Sequence, residues 1–230
     1  IFKVNYTTGS KLTYDIPTFT AIEGIIGAIM GWNRNEYIER IRRSEAKLGI
    51  IVRNPIQKVV YGINAPNKLV SPSLIKSGKD GIEIPGIKDR TQMYYEFLVN
   101  PAYTILFSHS DHALYSQVSE QVLASKSVYN IYFGSAFCIA EYDGQPREVE
   151  TELKYVENGS VVSVLDTHTA KDGLCLVNNL RYLSDNIPFI KDSDLTVKSF
   201  KQVIYQPEGK PLTCTGMFYS INDTDYVHML

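Results

Sequence analysis

The chain has 230 residues, enough for one large domain or two small ones, and its 44% hydrophobic and 21% charged content excludes extended disorder. Its net charge of −2 argues against a nucleic-acid partner only as an average: residues 1–100 carry 14 basic against 9 acidic side chains, and residues 101–230 carry 9 against 16. One face is therefore expected to meet an anion while the rest meets water or basic partners.

Ile1 to Pro17 reads as a short extended piece and a loop, Tyr6-Thr-Thr-Gly-Ser-Lys11, that is either an ordinary connection or a hydroxyl-rich grip. Thr20-x-x-Glu23 has the pattern of a capping box and predicts a helix from about Thr20, with Ile22, Ile25, Ile26, Ile29 and Met30 on one face and Gly31 as its stop. A helix N-terminus carries unsatisfied N–H groups and partial positive charge, so a polar loop feeding one is a ready anion site. Gly24, Gly27 and Gly31 lie beyond its phosphate-facing end and form no dinucleotide fingerprint; close packing is the plainer reading of Gly27, with backbone approach open for Gly24.

A second helix is predicted over Glu36 to Lys47, then strands over Leu48 to Val52 and Ile56 to Ile63, parted by Asn54-Pro55. Asn64 to Lys88 is rich in Pro, Ser, Gly and Lys and has no period, which marks a functional or mobile loop. Its basic residues and their neighbours, Lys58, Lys68, Lys76, Lys79, Lys88 and Arg90, read as solvated charge or, with Tyr61, Asn64 and Asn67, as the mixture that grips phosphates and stacks bases. Strands are expected at Gln92 to Val99 and Tyr103 to Phe107, and a helix capped by Ser110 runs to about Ala124. The remainder reads as β-rich: Val128 to Ile139, Val149 to Val156, Val161 to Asp166, Val203 to Tyr205 and Leu212 to Ile221, with Asn158-Gly159 as a hairpin signal.

His109-Ser-Asp-His112 is the one catalytic temptation, two imidazoles that could serve acid–base work or hold a metal with Asp111; a polar loop at a helix start is the plainer alternative. His168 and His228 read as incidental. No P-loop, G-x-S-x-G, H-E-x-x-H or C-x-x-C occurs, and no cofactor or metal is expected. Cys138, Cys175 and Cys214 are odd in number and widely spaced, which favours a reducing cytoplasm over a disulfide framework. The longest apolar run, Ala21 to Trp32, contains Glu23 and is too short for a bilayer core of roughly 30 Å. The chain does not begin with Met, so residues upstream of Ile1 are expected.

The order of these features resembles the Cas five family of CRISPR-associated proteins, of the RAMP superfamily. The motif is Tyr6 to Tyr14, Pro17, Thr20, Gly24, Gly27, Ala28 and Gly31, followed by Gly49 to Pro55, Arg90-Thr-Gln-Met, Tyr95 to Pro101 and Ser127 to Gly134. The resemblance covers nearly all of residues 2–140. It implies an α+β chain: a RAMP-type, ferredoxin-like (RRM-like) domain over 1–140, a thumb inserted at about 64–88, and a smaller C-terminal β-rich region over 141–230.

The resemblance further implies a non-catalytic subunit of a type I Cascade complex in antiviral defence. Such a subunit caps the 5′ handle of the crRNA and touches the backbone subunit and the large PAM-reading subunit, while the guide RNA reads target DNA. The residues expected to hold the handle are Tyr6, Thr8, Lys11, Thr18, Thr20, Arg53, Lys58, Tyr61, Asn64, Lys68, Arg90, Gln92 and Tyr132. One branch of the family processes crRNA, so an endoribonuclease using His109 and His112 is the alternative. Two departures stand out: Phe19 occupies a place where many relatives have Arg, which shifts weight to Lys11, Thr18 and Thr20, and only a stub of the first strand is present.

Overall fold

The computed structural model describes residues 1–4, 7, 10–41, 45–66, 76–78, 81–83, 90–192, 194 and 196–230, with 65–66, 76–78, 81–83 and 90–91 described by their backbone. Three short strands open the chain: β1 (Phe2–Lys3), β2 (Ser10–Lys11) and β3 (Thr13–Tyr14), of which β1 and β3 pair antiparallel. Helix α1 (Phe19–Met30) follows, capped by Thr18, whose hydroxyl accepts the Ala21 N–H. The cap therefore lies two residues before the Thr20 expected from the capping-box pattern, and Glu23 is buried. Gly31 stops the helix in the left-handed conformation at φ 73°, as the sequence predicts.

The buried stripe of α1 is Phe19, Ile22, Ile26 and Ile29. Each such side chain removed from water contributes about 1.5–3 kcal/mol before entropy is counted. Phe19, Ile22 and Ile26 of the stripe pack into a core with Leu48, Ile50 and Val52 of β4 (Ala46–Val52) and Val118 of α3 (His112–Leu123). Between α1 and β4, α2 spans only Glu36–Ile41, and Lys47 lies in β4, so the expected helix to Lys47 ends early; β-branched Ile50, Ile51 and Val52 favour the strand that succeeds it.

After β4 the chain forms a long antiparallel arm. β5 (Lys58–Pro66) runs out and β8 (Arg90–Leu98) returns, with β6 (Lys76–Gly78) and β7 (Gly81–Glu83) paired between them. Strand pairing therefore reaches into the stretch expected to be loop. β2 adds to β8 in parallel, giving the order β2-β8-β5, while β9 (Tyr103–His109) returns along β4. Asp111, not Ser110, caps α3, accepting from the N–H groups of Ala113 and Leu114.

Val128 to Ile139 is not the expected strand. It is an irregular segment with a single bridge, Tyr132 to Ile139, bent at Gly134 (φ 75°), where an added Cβ would lie 2.4 Å from the Ile1 carbonyl oxygen. The C-terminal region contains β10 (Glu152–Val161), β11 (Leu165–Asp166), α4 (Thr167–Gly173), β12 (Leu174–Cys175), β13 (Leu183–Lys191), β14 (Val197–Tyr205), β15 (Leu212–Ser220) and β16 (Asp225–Val227). Asn158-Gly159 makes no hairpin turn: it is a bulge inside β10, where the register against β15 shifts and Asn158 adopts φ 51°. Val164, Ile187, Val203 and Tyr205 join the same core as α1, and Leu230 exchanges backbone hydrogen bonds with Leu48. The architecture is α+β, with several small sheets around helices. No described helix is long and apolar enough to cross a membrane.

Candidate nucleic-acid interface

The β2-β8-β5 sheet gathers residues that are far apart in sequence. Its register places Lys11 beside Tyr95 and sets Tyr61 opposite Tyr95, and because side chains alternate, these three share a face with Phe97. The rings are close: Tyr61 to Phe97 is 5.9 Å edge-on, Tyr95 to Phe97 is 6.2 Å and stacked, and Phe137 from the irregular segment lies 6.1 Å from Phe97. The opposite face carries Asn64 across from Gln92 and Gly62 across from Tyr94. Gly62 offers no side chain there, and the Tyr94 ring edge lies 3.7 Å from where a Cβ would stand. Tyr61 and Tyr94 are 57% and 53% exposed, so both faces present an aromatic plane to solvent.

Lys58 roots this second face and is fully occupied. Its ammonium bonds Asp15 Oδ1 at 2.5 Å, Glu96 Oε2 at 3.2 Å and the Thr13 carbonyl at 2.9 Å, three acceptors for three protons. Burial alone would lower its pKa, but the bond and charge of Asp15, then of Glu96, outweigh it and leave Lys58 above the ordinary lysine value. Asp15 anchors more: its carbonyl accepts from Tyr103, and Tyr205 Oη lies 2.9 Å from its Oδ2 and 2.6 Å from Asp185 Oδ2. Burial first, then the Asp185 and Asp15 carboxylates, push the Tyr205 phenol far above its ordinary pKa.

A second group of sequence-predicted residues surrounds a cavity of ≈ 340 Å³ at the start of α1: Thr18, Thr20 and Tyr132 line it, with Lys3, Lys191 and Asn130. Thr18 and Thr20 are 6% and 4% exposed, and their hydroxyls face each other at 3.2 Å. Sequence reasoning missed Lys3 and Lys191, and Lys191 could not be found by spacing because β13 reaches the site from the far end of the chain.

The other expected residues lie apart or outside the description. Arg53 is at the end of β4, where its Nε donates to Thr104 Oγ1 at 2.7 Å. Arg90 is described by its backbone alone, paired with Pro66. Tyr6, Thr8 and Lys68 lie outside the described residues.

The two candidate catalytic histidines are not used alike. His109 is 8% exposed; its Nε2 lies 2.8 Å from the Ile41 carbonyl, so it donates there, and its Nδ1 accepts the Asp111 N–H at 3.0 Å. Both ring nitrogens are committed to backbone. His112 begins α3 and is exposed. A third imidazole, which nothing in the sequence singled out, faces a carboxylate instead: His228 Nε2 lies 2.9 Å from Asp166 Oδ2. No cluster of three His, Cys, Asp or Glu side chains able to hold a metal occurs among the described residues.

Fold and surfaces define an α+β protein with one two-faced aromatic sheet and one lysine-flanked cavity. Residues 1–208 match the family described as CRISPR-associated protein (Cas_Cas5), and the chain belongs to that family. It is also similar to a solved chain described as "CRISPR RNA-guided surveillance complex", at 15% identity and a TM-score of 0.49, covering 94% of this chain and 86% of that one. No curated protein sequence matches it.

Proposed function

We propose that the protein is a non-catalytic RNA-binding subunit of a type I Cascade surveillance complex, capping the 5′ handle of the crRNA and bridging the backbone and large subunits during RNA-guided DNA targeting. Family membership supports the CRISPR setting. The observation that carries the RNA reading is the convergence of Lys11, Tyr61, Asn64 and Gln92 on one sheet with exposed Tyr94. Splayed bases stack on Tyr61 and Tyr94, amide groups of Asn64 and Gln92 meet base edges, and Lys11 meets a phosphate; stacking contributes about 1–3 kcal/mol per base. The frame is RAMP-type and ferredoxin-like, with α1, β4, β9 and α3 as its helix-strand-strand-helix portion and the β5–β8 arm as the thumb. The acidic balance of residues 101–230 suits docking against basic neighbours.

The test is protection of RNA during native purification of the assembled complex. A crRNA whose 5′ end resists a 5′→3′ exonuclease in the complex, and loses that resistance with Lys11→Ala and Tyr61→Ala together, supports the reading; an end equally open with and without this subunit refutes it. Cleavage chemistry at the His109–His112 pair is disfavoured by the commitment of both His109 nitrogens to backbone. Incubation with repeat RNA in EDTA addresses that directly: specific cleavage abolished by His112→Ala would make the protein a processing endoribonuclease.

A further inference from the structure

We propose that the cavity at the start of α1 holds one nucleotide of the bound RNA, its phosphate met by Lys3, Lys191 and the Thr18–Thr20 hydroxyl pair and its base laid on Tyr132. The inference rests on the RNA-binding reading above and adds a place for a single unstacked unit. At ≈ 340 Å³ the cavity is at the small end of the roughly 300–1,000 Å³ of small-molecule sites, room for one nucleotide and no helix.

Its electrostatics select an anion. Two lysines and no carboxylate line it. The Lys191 ammonium makes no hydrogen bond or ion pair among the described residues; burial lowers its pKa below the ordinary lysine value, Glu23 opposes that and Arg34 adds to it. An ammonium in that position gains from an anion brought against it.

The hydroxyl pair shows an acceptor is wanted. Thr18 Oγ1 already accepts from the Ala21 N–H, and the two hydroxyls together carry two protons. The contact between them uses one. The other has no acceptor among the described residues, although both side chains are more than nine-tenths buried and line the cavity. Leaving a buried hydroxyl unpaired costs about 1–3 kcal/mol, which a phosphate oxygen removes. Phosphate at this end of α1 also meets its positive pole.

One segment links the cavity to the sheet. The irregular segment that supplies Asn130 and Tyr132 to the wall is bridged from Tyr132 to Ile139 and places Phe137 against Phe97 on the aromatic face. RNA lying on that face is led along this segment to the cavity. Gly24 keeps the wall open, since a Cβ there would meet nothing nearer than the Tyr37 hydroxyl at 3.8 Å.

The test uses the purified full chain and two kinds of titration. Adenosine 5′-monophosphate, adenosine and inorganic phosphate are titrated by calorimetry, and an eight-nucleotide single-stranded RNA labelled at its 3′ end is titrated by fluorescence anisotropy. The monophosphate is expected to bind at least tenfold tighter than adenosine or phosphate. Gly24→Leu, which fills the cavity, and Lys191→Ala are each expected to weaken it at least tenfold and to weaken the RNA. Tyr61→Ala is expected to weaken the RNA alone. Lys191→Ala keeps the test intact if Gly24→Leu lowers the melting temperature. RNA binding by the wild type with no monophosphate binding, or with monophosphate binding that neither variant changes, overturns the cavity assignment and leaves the sheet reading standing. Monophosphate binding without RNA binding makes the cavity a free-nucleotide site and also overturns it. Binding of neither the monophosphate nor the RNA overturns both.

Discussion

Lys58, at the root of the arm, and Lys191, on the wall of the cavity, are both partly buried lysines, and they differ in what faces the ammonium. Around Lys58 stand Asp15, Glu96 and the Thr13 carbonyl, each within bonding distance; Lys191 shares a cavity wall with Thr18, Thr20 and Lys3, and Glu23 and Arg34 act on it through their charge without a hydrogen bond. The first arrangement satisfies every proton from within the chain and ties β5 and β8 to the loop before α1. The second leaves charge and a hydroxyl proton for something else. Half-burial of a cation therefore says little until its acceptors are counted: a completed set holds the fold together, and an incomplete one waits for a ligand.

The sharpest way to break this contrast is Lys58→Met. Removing one partner of a largely buried ion pair leaves the other carboxylates uncompensated, and a loss of about 3 kcal/mol in urea unfolding is expected. RNA affinity of the protein that remains folded should be unchanged within twofold. Unchanged stability with lost affinity would move Lys58 into the same category as Lys191.

Second in size is the double variant Tyr61→Ala with Tyr94→Ala. Both rings are more than half exposed, so stability should change by less than about 1 kcal/mol, two surface substitutions of about 0.5 each. RNA affinity should fall by about 2 kcal/mol, near thirtyfold, if bases stack on the sheet. A loss of stability without a loss of affinity would make these rings structural.

The sequence could reveal one of these arrangements and not the other. Period and punctuation located α1, β4, β9 and α3, because Ile22, Ile26 and Ile29 recur at helical spacing and the strands are β-branched. Residue type and the family resemblance brought Lys11, Tyr61, Asn64 and Gln92 forward, and two strand registers unite them. Lys58 carried no mark of its partners: Asp15 and Glu96 are 43 and 38 positions away along the chain. Lys191 was invisible for the same reason. Val128 to Ile139 has strand composition but makes one bridge, since Gly134 turns it beneath Ile1 and no long strand runs alongside it. Asn158-Gly159 has hairpin chemistry that tertiary pairing with β15 converts to a bulge.

The glycines of α1 sharpen the comparison at smaller scale. A Cβ on Gly27 would come within 2.9 Å of Tyr37 Cβ and Cδ1, part of the α1–α2 contact, whereas one on Gly24 would find ordinary space beside the cavity. Gly27→Ala should destabilise by about 1–2 kcal/mol through overpacking, and Gly24→Ala should gain about 0.5 kcal/mol from helix propensity. Thermal or urea midpoints measure both. Equal effects at the two positions would mean that the wall of the cavity is as closely packed as the helix contact.

The smallest effect expected is on pH dependence, at the buried pair His228–Asp166, where the acceptor set is again complete. Burial pulls His228 below its ordinary value of 6.5, with Asp166 opposing and Lys201 adding to the fall. Burial would raise Asp166 above 3.8, but the Thr169 N–H and His228 outweigh it and hold it lower. For His228 the unfolded chain binds the proton more readily, so its share of stability is full above about pH 6.5 and drains as the pH falls below that. Asp166 adds a share that is present above 3.8 and goes on further acidification. Urea midpoints at pH 7.5 and 5 should therefore differ more for the wild type than for His228→Gln, which cannot titrate. His228 also links its backbone N–H to Ser163 Oγ at 2.7 Å, two residues before Leu230 pairs with Leu48. Acid should therefore loosen the C-terminus against β4 first, seen as faster amide exchange at Leu48 and Leu230 than in the arm. Uniform exchange at both pH values would mean that this pair, unlike Lys58, contributes packing and no charge.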